Sequence, residues 1–149
     1  MDEEFDFEKL AREVVSSRLE AIKTAPAAAG EIAKKMIVTA VKSTKVRQQA
    51  RVTVRQVCRG VMGGLLIIGK NLPAAAVEIL KALGEDAAQE VRADPNDLMT
   101  WAMEGIADIS PIVGVEVRSE IREAIAERYM GAGEVFSQLC DAAERAAKK

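Results

Sequence analysis

The fold that this sequence predicts is all-α: a single-domain bundle of about five helices, two of them long. Three observations carry that reading. Apolar residues make up 49% of the 149 residues while aromatics are only 3%, so the core must come from Ala, Val, Ile, Leu and Met, a set that suits close-packed helices better than sheets. Apolar positions recur every three to five residues, the spacing of one helical face. Prolines stand where helices start, and no Gly, Pro or Asn interrupts the chain between Gly30 and Gly60, as bounded strands would require. A chain of this length fits one domain with a sizeable core. Residues 1–6 and 144–149 are expected to fray.

The first helix begins near Phe7, behind an acidic segment, Met1 to Glu8, that frays or caps it. Its apolar stripe is Leu10, Val14, Leu19 and Ile22, and Pro26 ends it near Thr24 by disfavouring helix at Ala25. Pro26 then opens a helix predicted from about Ala27 to at least Cys58 and, through its apolar continuation, to Ile68. The β-branched runs Met36 to Val41 and Val52 to Val54 argue for strand. Ile37, Val41, Ala50, Val54, Val57, Val61, Leu65 and Ile68, which can share one helical face, argue more strongly for helix.

Asn71 and Pro73 start the next helix, whose buried side is Ala76, Ile79, Leu80, Leu83, Ala87 and Val91. Asp94-Pro95-Asn96-Asp97 is a turn that caps a short helix, Leu98 to Asp108. Trp101, between Met99 and Met103, reads as a core or interface anchor. Ser110-Pro111 starts the last long helix, to Ala147, with the stripe Val117, Ile121, Ile125, Tyr129, Ala132, Phe136, Leu139, Ala143 and Ala147 and a weak point at Gly131 and Gly133. The starts at Pro26, Pro73 and Pro111 share a small residue three on and Glu five on, an echo that a duplicated helix–Pro–helix unit would leave but that ordinary helix-start preferences account for more simply.

Charge is unevenly spread. No acidic residue lies from Ile32 to Val77, a window holding nine lysines and arginines. The whole chain is formally −2, so the remainder sums to −11. Within the window Arg47, Arg51, Arg55 and Arg59 stand four apart and occupy one side of a helix. On the last helix Glu116, Glu120, Glu123 and Glu127 form a matching acidic stripe. Each row repels itself by a few tenths of a kcal/mol per pair. The two are expected to face each other along packed helices, within a monomer or across a dimer interface. Gly60, Gly63 and Gly64 would admit a second helix at close range.

Function follows less directly. Histidine is absent, which removes Ser-His and Cys-His nucleophile pairs and most zinc and di-iron helix sites. The glycines lack the Gly-Lys-Ser/Thr ending of a phosphate loop. The carboxylate pairs Glu104/Asp108 and Asp94/Asp97 would suit only a hard cation, and turn or cap duties explain them more simply. No metal or cofactor is expected, and the protein reads as a non-enzyme. Nucleic-acid binding is disfavoured by the pI of 5.4 and by the lack of aromatics between Ile32 and Val77.

The longest apolar run, Gly60 to Gly69, is half a membrane span. The two cysteines, Cys58 and Cys140, have no metal spacing, and with no signal peptide in the acidic opening the chain is expected in a reducing cytoplasm, without a disulfide between them. The leading expectation is a self-associating helical structural or adaptor protein, a homodimer or the partner of another protein. The alternative is a protein that binds a membrane surface, lipid or apolar ligand through Gly60–Leu72.

Overall fold

The computed structural model describes residues 6–19, 25–43, 49–69 and 71–148. Among these residues there is no strand; nine α-helical segments and one π-helical turn follow one another, seven of the α-helices having ten residues or more. The order is α1 (Phe7–Arg18), α2 (Ala25–Lys42), α3 (Ala50–Ile67), α4 (Leu72–Lys81), the π turn (Ala82–Ala87), α5 (Ala88–Val91), α6 (Pro95–Ala107), α7 (Ser110–Val113), α8 (Val115–Arg128) and α9 (Ala132–Ala147). The all-α class is as predicted; the number of helices is larger.

The two long helices of the sequence reading are each divided. The span expected to run from Ala27 to Ile68 ends as α2 at Lys42, where the Ser43 N–H turns back onto the Ala40 carbonyl, and resumes at Ala50 as α3. The span from Pro111 to Ala147 breaks twice, at Gly114 (φ 88°) and Gly131 (φ 81°). Both glycines hold the left-handed backbone that L side chains rarely adopt, and each lets the chain change direction between helices. Gly131 marks the weak point anticipated beside Gly133; Gly114 lay unnoticed inside a helix-start pattern.

The helix starts follow local chemistry. Asp6 accepts the Lys9 N–H at 2.9 Å, Asn71 that of Ala74 at 3.0 Å and Asp94 that of Asn96 at 2.8 Å, each satisfying a donor that the first turn leaves open. Pro73, Pro95 and Pro111 sit at the first positions of α4, α6 and α7, where the missing N–H is not needed. The π turn inserts extra backbone after Lys81, yet Leu83 and Ala87 remain buried. Arg92, at φ 53°, stops α5.

Packing centres on α3. Helix α1 lies along one side of it and α6 along another, and the order of contacts shows both running parallel to it. Residues 8 to 15 of α1 meet Gly60 and then Gly64, while Glu104 and Asp108 meet Arg51 and then Arg55. From α3 the neighbours close a circuit: α2 packs on α3 and α4, α8 on α4 and α9, and α9 on α6. Helices α8 and α9 form an antiparallel hairpin, with Gly133 against Ala126 and Arg118 against Asp141.

The predicted faces of α3 and α4 are correct: Val54, Val57, Val61, Leu65, Ile79, Leu80 and Leu83 are fully buried. The stripe of α1 is rotated by one residue. Phe7, Ala11, Val15 and Leu19 face inward and Leu10 is 48% exposed, because the small side of the helix must meet the glycines of α3. The frayed end expected from Glu144 is helical to Ala147. The expected fraying of residues 1–5, the end of the first helix near Thr24, and Ile22 fall outside the described residues.

Candidate interaction surface

The outward side of α3 carries the arginine row. Arg51 grips Glu104 with two hydrogen bonds, Nε to Oε1 at 3.0 Å and Nη2 to Oε2 at 2.7 Å. Arg55 grips Asp108 in the same way, both contacts at 2.8 Å, and its Nη1 lies 3.7 Å from Glu104. Arg59 Nε approaches Glu8 of α1 at 3.3 Å. The Glu104 and Asp108 side chains are 8% and 7% exposed, whereas the three arginines are about half exposed. The hydrogen bonds that Arg51 donates to Glu104 raise the pKa of Arg51, and those that Arg55 donates to Asp108 raise the pKa of Arg55, so both stay charged at any ordinary pH.

These contacts correct the expectation that the arginine row meets the acidic stripe within one chain. Its partners are Glu8, Glu104 and Asp108. Glu104 and Asp108 anchor α6 on α3, Asp108 doing so from the C-cap position at the end of α6. Asp94 does cap, as expected. Arg47 lies outside the described residues. A signal for the true partners was available: Arg51/Arg55 and Glu104/Asp108 are both four apart, a spacing that lets two parallel helices pair in register.

Gly60 and Gly64 do admit a helix at close range, and it is α1 of the same chain. A Cβ on Gly60 would lie 2.2 Å from the Glu8 carbonyl oxygen, and one on Gly64 2.8 Å from that of Arg12. Gly63 faces away; its nearest neighbour would be Arg12 Cδ at 3.7 Å. On the other side of α3, a Cβ on Gly105 of α6 would lie 2.4 Å from the Arg55 carbonyl oxygen. In Gly60–Leu72, Val61, Met62, Leu65 and Leu72 are buried, and Ile67 is the one large apolar side chain exposed among the described residues. The helix passes Gly63 and Gly64 without interruption.

Helix α8 presents its charges elsewhere. Ile121 and Ile125 point into the core. Glu116, Glu120, Glu123 and Glu127 fall within about 60° of one another on the helix wheel, opposite those isoleucines. All four are exposed and none makes an ion pair among the described residues. Ile112 and Val115, 70% and 77% exposed, stand at the start of this face, and the fully exposed Met130 follows its end.

The α8–α9 hairpin is fastened on its other side. Arg118 donates to Asp141 at 2.7 Å, to the Ser137 carbonyl at 3.1 Å and to Glu144, which also accepts from Ser110. The Ser110 hydrogen bond and the Arg118 charge hold the Glu144 carboxyl below the usual carboxylate range. Cys140 is buried beside this cluster and Cys58 is buried against α6; both are free thiols, and burial pushes each pKa up. A groove of about 440 Å³ separates the end of α9 (Leu139, Ala142, Ala143, Ala146) from Arg55 and Arg59.

No group of acidic or cysteine side chains suited to a metal ion occurs among the described residues, and no described helix is long and apolar enough to cross a membrane. The polar groups along the groove, Arg55, Arg59, Glu104 and Asp108, are engaged with one another or with Glu8. Comparisons with family models, with curated proteins and with solved structures find no match.

Proposed function

We propose that the chain is a non-enzymatic helical structural or adaptor protein that works by associating with a second copy of itself. The observation that supports this is the outer face of α8. It holds four exposed glutamates in one line, none in an ion pair among the described residues, framed by the exposed Ile112, Val115 and Met130. Like charges at this spacing repel one another along the helix, and a cationic partner turns that repulsion into attraction. Exposed apolar residues at the ends of such a charged row supply the dehydrated contacts that ion pairs alone do not.

Two features originally expected to serve association are used internally: Gly60 and Gly64 by α1, and the inner edges of the arginines by Glu104, Asp108 and Glu8. The acidic face has no such internal use among the described residues. The free, buried thiols of Cys58 and Cys140 fit a reducing compartment such as the cytoplasm.

Sedimentation equilibrium over a hundredfold range of protein concentration, roughly, tests the reading. A monomer–dimer equilibrium is expected, weakened by replacing Ile112 and Val115 with Ser. A monomer at every concentration overturns it.

A further inference from the structure

The chain carries a complement to its own acidic face. Three positions four apart make the row Arg51–Arg59 about 12 Å long, and the glutamates of α8 span about 16 Å. The carboxylates that pair with Arg51 and Arg55 lie underneath, buried, while the guanidinium groups remain half exposed. A guanidinium has five N–H donors. Arg51 uses two of them on Glu104, and Arg59 makes one contact, with Glu8. Donors therefore remain on the outward edge of the row, where a second carboxylate can reach them.

We propose that the acidic face of α8 in one copy seats on the arginine row of α3 in a second copy. This rests on the self-association reading and adds its geometry. The shorter arginine row fits within the span of the glutamates and opposes it in sign, and each relieves the repulsion within the other. The groove alongside Arg55 and Arg59, walled opposite by Leu139 and Ala143, receives the apolar end of the incoming helix at Val115. Formed reciprocally, two such contacts close a twofold dimer.

The test uses variants that leave the Arg51–Glu104 and Arg55–Asp108 pairs intact. Reversing Arg51 or Arg55 would break the ion pairs that hold α6 on α3, so the acidic side is changed instead: E120R/E127R alters two exposed residues with no ion-pair partner among the described residues. Its dimer is expected to dissociate at about tenfold higher concentration or more, since each reversal replaces an attraction by a repulsion. Separately, R59K keeps the charge and supplies an amine. Carbodiimide, which couples amines to carboxylates, should then yield a covalent dimer whose linked peptides join Lys at 59 to Glu116–Glu127.

A wild type that stays monomeric defeats self-association, and this proposal with it. A wild type that dimerises, with an unchanged E120R/E127R dimer and no such linked peptide, defeats only the seating of α8 on α3. Weakening by E120R/E127R without a link to position 59 likewise overturns the arginine row as the acceptor.

Discussion

At the scale of single residues, the glycines of α3 and α6 divide into those that touch another backbone and one that does not. Gly60→Ala and Gly105→Ala each force a methyl group against a carbonyl oxygen, at 2.2 and 2.4 Å. Alanine gains about 1 kcal/mol of helix propensity over glycine, but overpacking of this kind costs typically about 1–3 kcal/mol, and backbone atoms cannot rotate aside. Both variants should lower the urea midpoint. Gly63→Ala meets only ordinary contact with Arg12, so the propensity gain prevails and the midpoint should rise or hold. A loss for Gly63→Ala equal to that for Gly60→Ala would mean that α1 does not cross where described. The sequence displayed all three glycines equally. Only the placement of α1, which depends on a contact across some fifty positions, distinguishes them.

At the scale of the element, α9 is held by chemistry that titrates. Hydrogen bonding from Ser110 and then the Arg118 charge keep the Glu144 carboxyl below its ordinary value. An unfolded chain therefore takes up this proton first as pH falls. The stabilisation is complete above the unfolded value, about 4, and disappears as pH drops through the lower folded value. Amide protection in α9, corrected for the intrinsic exchange rate, should fall over that acid window, and Ser110→Ala, which brings the folded value closer to the unfolded one, should lessen that pH-dependent fall.

Cys140 offers a second measure of the same opening. Buried in the native state beside Ser110 and Arg118, it should resist alkylation at neutral pH and become reactive in acid-treated, requenched samples before Cys58 does. Equal labelling of the two would mean that α9 does not open by itself.

The elements also show what a sequence can and cannot disclose. Pro73 and Pro111 and the caps Asn71 and Asp94 were legible, because helix starts depend on a few consecutive residues; Pro95, expected in a turn ahead of a helix from Leu98, instead opens α6. The face of α3 was legible because Val54, Val57, Val61 and Leu65 repeat without competition. The face of α1 was misread: Leu10 and Val14 look like core and Ala11 does not, until Gly60 and Gly64 demand a small side opposite them. The division between α2 and α3 carried no Gly, Pro or Asn to announce it, and the π turn left the buried stripe of Leu83 and Ala87 unchanged.

At the scale of the whole molecule, Cys58 reports on the complete fold. It sits between α3 and α6 with no exposure, and burial raises its pKa far enough to keep it a thiol, which is not the nucleophile. Its modification should follow global unfolding, so its labelling rate in rising urea should parallel the loss of helical circular dichroism. Labelling well below that transition would reveal a subglobal opening of α6. Charge segregation was legible at this scale, as a basic middle between acidic flanks. Which carboxylates answer which arginines was not, since Glu8, Glu104, Asp108 and Glu116–Glu127 all offer the same group and only topology selects among them.

The parallel run of α1, α3 and α6 has a consequence in time. Parallel neighbours cannot be joined by a tight turn, so each must await the intervening chain. During synthesis at about 5–20 residues per second, the 45 positions from Gly60 to Gly105 take about 2–9 s. For those seconds α1 can already be seated on Gly60 and Gly64, while Arg51 and Arg55 have no Glu104 or Asp108 to hold. A nascent chain ending short of Asp108 is therefore an electrostatically different object from the finished protein. Through Gly84 it carries fourteen lysines and arginines against nine acidic residues, a formal +5, and the acidic residues that bring the whole chain to −2 are made only afterwards.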